Sequence, residues 1–88
     1  MAKSIEQMRN LGAASALMLA EIDVHNEDDL RQMGAVVAYT RVKFLMSGSA
    51  SVLLLYAMEA ALRDCDWRSL DTVTKAKLKS QIGAIPAV

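Results

Sequence analysis

The sequence predicts an all-α fold: a compact single domain of five or six short helices with a helix–hairpin–helix-like N-terminal part. Three observations carry this. No segment shows the period-two alternation of a half-buried strand. Hydrophobic residues make up 53% of the 88 positions and only 5% are aromatic, so the apolar material is mainly Ala, Leu, Val and Met, which suits close-packed helices. Gly12, Gly34, Gly48 and Gly83 fall at breaks between segments that read as helix, and the one proline, Pro86, lies in the tail. The length fits one domain over 1–88, with a core of about 4–82 and a tail of 83–88.

The elements follow in order. Ser4 caps a short first helix that reaches Met8 or Arg9, with Ile5 and Met8 on one apolar face. The second helix runs from about Ala13 to Glu21. Only Ser15 and Glu21 are polar in it, which predicts packing on more than one side. Ile22-Asp23-Val24 is a joint, with Asp23 suited to a left-handed conformation. Asn26 caps a third helix, and Glu27, Asp28 and Asp29 fill its first turn, where the helix dipole favours negative charge. With Asp29 at the third helical position the start resembles a capping box. This helix stops at Met33 with Gly34 as its C-cap.

The fourth helix spans about Ala35 to Met46 and is apolar nearly all round, with Arg41 and Lys43 near its C-terminal end. Ser47-Gly48-Ser49 reads as a flexible turn. A fifth helix, from Ser51 to about Asp64, has no polar face in its first two turns and is expected to be the central buried helix. Cys65-Asp66-Trp67-Arg68 ends it. Asp71 or Thr72 caps a last helix from about Val73 to Ile82, with Lys75, Lys77 and Lys79 exposed.

Little in the chain points to catalysis. His25 and Cys65, the single histidine and the single cysteine, sit in different segments and in no nucleophile or metal spacing. No catalytic residue, metal ligand or cofactor is assigned. Glu59 is unusual because it interrupts an apolar helix, and burying a carboxylate is costly unless donors meet it. Its favoured reading is structural: it accepts amides from a neighbouring helix start, or it pairs with Arg63 one turn away. In the first case Glu59→Ala costs about 1–3 kcal/mol. Trp67 reads as a lid on the core, Tyr39 and Tyr56 as core residues, and Met8, Met18, Met33, Met46 and Met58 as packing.

Ten basic and ten acidic residues cancel. That balance gives little support to a dedicated nucleic-acid binder, whose affinity rests largely on phosphate neutralisation. A weak signal for phosphate binding lies in Arg9-Asn10-Leu11-Gly12 followed by Ala13 to Ser15. A glycine-containing hairpin that opens into a helix presents free amides to an anion. Lys75 and Lys79 would assist, and Gly12→Val is expected to disturb the joint if Gly12 occupies positive φ. One cysteine excludes an internal disulfide, so a cytoplasmic setting is expected. The apolar run from Ala50 to Met58 is too short to span a bilayer and ends in Glu59, so no membrane is expected as a partner.

Two blocks carry a resemblance. Asn10-Leu11-Gly12-Ala13-Ala14-Ser15, Leu19, Val24, Asp28-Asp29-Leu30-Arg31-Gln32-Met33-Gly34-Ala35 and Ala38-Tyr39 form the first. Leu54-Leu55-Tyr56-Ala57-Met58-Glu59-Ala60-Ala61-Leu62, Trp67 and Leu70 form the second. Their order and spacing over about residues 8–79 resemble the C-terminal domain of the TfoX/Sxy family. The resemblance implies an all-helical domain with a helix–hairpin–helix-like start, associated with regulation of DNA-transformation competence in bacteria. Many family members carry a further N-terminal domain. Similar domains often have Pro-Lys where this chain has Ala13-Ala14, and glycine where it has Asp23 and Ala60. The first change removes a natural phosphate contact, and Asp23 adds negative charge near the hairpin. Protein contact is therefore the leading expectation, with an unidentified protein or a second copy as partner. Direct DNA binding through Arg9, Asn10, Leu11, Gly12, Ser15, Lys75 and Lys79 is the alternative. Gly34, Glu59 and Trp67 are expected to be structural.

Overall fold

The start of the chain is held by two short-range patterns. In the computed structural model, which describes residues 3–46 and 51–84 (83 and 84 by backbone only), Ile5–Gln7 forms a single 3-10 turn. The first helix expected from the sequence is thus shorter and tighter. The Ser4 amide donates to the Gln7 side chain at 3.2 Å, and the Gln7 amide donates to the Ser4 carbonyl. Ser4 also forms an isolated antiparallel bridge with Asn26, and the Glu27 amide donates to the Lys3 carbonyl at 2.8 Å. The chain then turns so that Ile5, Met8 and Leu11 enter the core.

Helix α1 (Ala13–Ala20) follows, with Gly12 as its N-cap. It ends in a Schellman geometry: the Val24 amide donates to the Leu19 carbonyl and the Asp23 amide to the Ala20 carbonyl. Asp23 sits at φ 63°, the left-handed conformation expected of it. Val24 and Leu19 are both fully buried, so the turn is locked by an apolar contact as well as by hydrogen bonds.

Helix α2 (Glu27–Met33) starts on Asn26, whose side chain accepts from the Asp29 amide at 2.9 Å. Asp29 does not close a reciprocal capping box, because its carboxylate accepts the His25 amide, one residue before the cap, at 3.0 Å. Gly34 ends α2 and begins α3 (Ala35–Leu45). Its φ of +86° is the one position among the described glycines that an L side chain would strain.

Helix α4 (Val52–Leu62) is the centre of the molecule. It packs on α2, α3, α5 and a second 3-10 turn (Trp67–Ser69), and it buries Leu54, Leu55, Tyr56, Met58, Ala60 and Ala61. It ends as α1 does, with the Cys65 amide on the Ala60 carbonyl, the Asp64 amide on the Ala61 carbonyl, and Asp64 at φ 55°. Helix α5 (Thr72–Ala84) is capped by Asp71, which accepts the Thr74 amide at 2.7 Å. It runs two residues past its expected end at Ile82 and continues through Gly83. The Ser47-Gly48-Ser49 turn and residues 85–88 of the expected tail lie outside the described residues.

Ile5, Leu19, Val24, Leu30, Val42, Leu55 and Met58 are the largest fully buried side chains. Burial of each stabilises the fold by roughly 1.5–3 kcal/mol before the entropic cost of ordering. Met18, Met33 and Met46 pack partly buried against this core, and Met8 and Met58 are inside it. The Cα radius of gyration is 11.9 Å, matching the roughly 12 Å of a compact domain of this length.

The structure corrects one packing expectation. Helix α1 is covered on one side only. It touches the first 3-10 turn and α3, and Leu19 is the one residue it buries. Ala13, Ala14, Leu17 and Ala20 face outward.

Candidate functional site

The hairpin residues are largely committed to structure. Asn10, not Gly12, takes the left-handed conformation, at φ 72°. Its side-chain amide donates to the Cys65 carbonyl at 2.7 Å, and its Oδ1 accepts the Trp67 amide at 3.2 Å. Both ends of that amide are thus occupied within the protein. Leu11 is buried at 7% exposure. Gly12 has φ −136° and open space where a Cβ would stand. Gly12 does not occupy positive φ, so the condition on which Gly12→Val would disturb the joint does not hold. Ser15 is half-buried, while Arg9 and Gly12 are exposed.

Beside the hairpin lies a cleft of about 110 Å³, lined in part by Lys3, Arg9, Glu27, Arg31 and Asp64. Arg31 is held by Glu27 at 2.9 Å and by the Leu62 carbonyl at 3.3 Å. Three cations and two carboxylates share the cleft wall, so it carries only a small net positive charge.

The α5 lysines divide. Lys79 is exposed. Lys75, expected to be exposed, is half-buried, with its Nζ 5.6 Å from the Tyr56 ring centre and 5.5 Å from that of Trp67. This cation–π arrangement covers two aromatic rings at the edge of the core. Trp67 itself is partly buried against the core. Helix α5 packs on α3 and α4, whereas the first 3-10 turn packs on α1.

Glu59 pairs with Arg63 at 2.7 Å across one turn of α4. Its side chain is 21% exposed, and among the described residues no backbone amide donates to it. The arrangement matches the Arg63 reading, and the larger cost tied to buried donors does not apply.

Two carboxylates are electrostatically tuned. Asp71 is held below the ordinary aspartate range by the Thr74 side chain and amide that it accepts. Asp66 is also lowered, chiefly by the Arg68 amide, with the Arg68 and Arg9 guanidinium groups adding to the effect against partial desolvation. Both act as caps. His25 lies 3.9 Å from Asp23 on an exposed surface. Among the described residues no group of three His, Cys, Asp or Glu side chains could hold a metal ion. No helix among them is long and apolar enough to cross a membrane.

The feature that sequence reasoning missed is the set of large apolar side chains left in water. Phe44 is 65% exposed, Leu45 57% and Leu53 51%. Phe44 and Leu45 close the last turn of α3, and Leu53 opens α4, so they flank the same connection. Arg41 and Lys43 are exposed on the same turn of α3. No sequence signal singles it out: α3 reads as apolar nearly all round, and which of its faces stays uncovered depends on the helices alongside. Leu17 on α1 and Val73 on α5 are exposed as well.

Comparison with known proteins gives a consistent placement. Two crystal structures of proteins from Listeria monocytogenes share the fold. One, an uncharacterized protein in triclinic form, is 25% identical, with a TM-score of 0.83 over 92% of this chain and 91% of that one. The other, a protein of unknown function in tetragonal form, is also 25% identical, with a TM-score of 0.81 over 90% of this chain and 96% of that one. No curated protein matches. The family model of the TfoX C-terminal domain matches residues 1–82. That match covers nearly the whole chain, and the chain belongs to the TfoX C-terminal domain family.

Proposed function

We propose that this domain is a non-catalytic regulatory module that acts by docking on a protein, in the setting of competence regulation that its family suggests. One observation carries the reading: Phe44, Leu45 and Leu53 are more than half exposed on either side of one connection. Large apolar side chains left in water at the two ends of one connection are candidates for an interaction surface. The exposed Arg41 and Lys43 beside them favour a partner with an apolar centre and an acidic rim.

Direct duplex binding is the second reading, favoured by the placing of Lys3, Arg9 and Arg31 around one cleft. The two readings separate in one experiment. Partners crosslinked to the domain in extracts of a transformable bacterium are purified and titrated at physiological salt, with duplex DNA in parallel. Docking predicts saturable protein binding that a folded Phe44→Ser/Leu53→Ser variant loses and Arg9→Ala keeps. Duplex binding that falls steeply with salt and depends on Arg9 would replace that reading with the second one.

A further inference from the structure

The outer face of α1 lies on a different helix from Phe44, Leu45 and Leu53, and the charges at its ends bear on what covers it. Ala13, Ala14, Leu17, Ala20 and Glu21 fall within one side of the helix and all are exposed, Leu17 at 73%. The opposite side carries Leu19, fully buried. The exposed face is a ridge with one large apolar side chain at its middle and small ones around it, so another helix can approach closely.

Neither end of α1 carries a side chain that offsets its dipole, and the C-terminal end carries acids that oppose it. The N-terminus has no acidic residue in its first turn and no capping side chain, because Gly12 occupies the N-cap. The amides of Ala13, Ala14 and Ser15 therefore have no intrahelical acceptor. The C-terminal end carries Glu21 and then Asp23, with no basic residue in the last turn. A carboxylate at a helix C-terminus is unfavourable, and at an N-terminus it is favourable. Among the described residues Glu21 has no cationic partner.

We infer that α1 is a self-association helix and that its occupant is α1 of a second copy of this chain, packed antiparallel about a two-fold axis at Leu17. Antiparallel pairing through that axis sets residue 21 of one copy opposite residue 13 of the other. Each Glu21 carboxylate then meets the uncapped first-turn amides of its partner, with the exposed Arg9 near the same end. Leu17 meets its own equivalent, and Ala20 meets Ala14. One contact set corrects both dipole mismatches in both copies, as an isologous interface requires. A helix of eight residues is about 12 Å long. Its face is far smaller than the roughly 800 Å² per partner of a stable complex. The pair is therefore weak and concentration-dependent, with a dissociation constant on the order of 0.1–1 mM.

The test is NMR of the whole chain over a range of concentrations, with sedimentation equilibrium alongside. The expected result is concentration-dependent shifts centred on residues 13–21, and cross-subunit contacts between Leu17 methyls in a mixture of labelled and unlabelled protein. Leu17→Lys should weaken association at least tenfold while leaving the spectrum of the fold unchanged. Glu21→Lys should weaken it severalfold, and Glu21→Asp should retain most of it. Leu53→Ser, on the other surface, should leave it unchanged. A monomer at millimolar concentration would overturn the inference. So would self-association that survives Leu17→Lys or is lost with Leu53→Ser. The two readings separate by variant: Leu17→Lys should spare the partner titration while weakening self-association, and Leu53→Ser the reverse.

Discussion

Helices α1 and α4 read alike as sequence and end in opposite environments. Each carries a single strongly polar side chain within its apolar run, Ser15 in α1 and Glu59 in α4. Helix α4 is surrounded and buries six residues, whereas α1 is covered on one side and buries Leu19 alone. Apolar content sets what a helix can bury, and the number of neighbours that the chain order supplies sets what it does bury. The side chains reflect this outcome. Helix α1 exposes mainly alanines, which present little apolar area to water, while α4 places Leu55 and Met58 where neighbours enclose them completely.

The contrast is tested most sharply by truncating one leucine in each helix. Leu55→Ala should lose about 2–5 kcal/mol of stability in urea unfolding. Leu17→Ala should change it by no more than about 0.5 kcal/mol. Equal losses would break the comparison. An intermediate effect belongs to Asn10, which joins the α1 side of the molecule to the end of α4. Asn10→Ala removes two hydrogen bonds and should cost about 1–3 kcal/mol. Asn10→Gly retains the left-handed backbone without those bonds, so a comparable loss would assign the effect to the amide and not to φ.

Smaller effects refine the account of α4 and its successor. Glu59→Ala should cost only about 0.3–0.5 kcal/mol, the range of an i,i+4 pair, because Arg63 is half-exposed. The Asp71 cap of α5 should show a pH signature. Its folded pKa is depressed, so its contribution is present above the ordinary aspartate value and is lost as pH falls through the depressed one. Loss of amide protection at Thr74 over that window, absent in Asp71→Ser, would report it. Protection that persists to lower pH would show that the carboxylate is not the cap that matters.

Much of this was legible in the residues themselves. Asn26 and Asp71 read as caps because they precede helical runs, and both accept amides in the structure. Gly34 read as a helix end, and its φ of +86° shows why glycine stands there. The burial of α4 followed from a run with no polar face. The exposure of Leu17 and Phe44 did not follow, because it depends on which helices lie alongside. The role of Asn10 was also hidden. A polar residue before a glycine invites a hairpin reading, and its true partners are 55 and 57 positions away. Lys75 fell to the same limit, since its aromatic neighbours come from α4 and the second 3-10 turn.

The Asn10 anchor also bears on the order in which the chain can settle. Asn10 is made long before Cys65 and Trp67, so the hairpin can rest on α1 and on Asn26 and Glu27 while the Asn10 side chain still lacks its partners. The clasp itself waits for closure of a loop spanning most of the domain, which costs entropy before it returns those two hydrogen bonds. The Asn10 side chain is thus made early in the domain and is among its last groups to find its partners. Hydrogen exchange at the Trp67 amide should report the opening of that clasp at both ends of the chain at once.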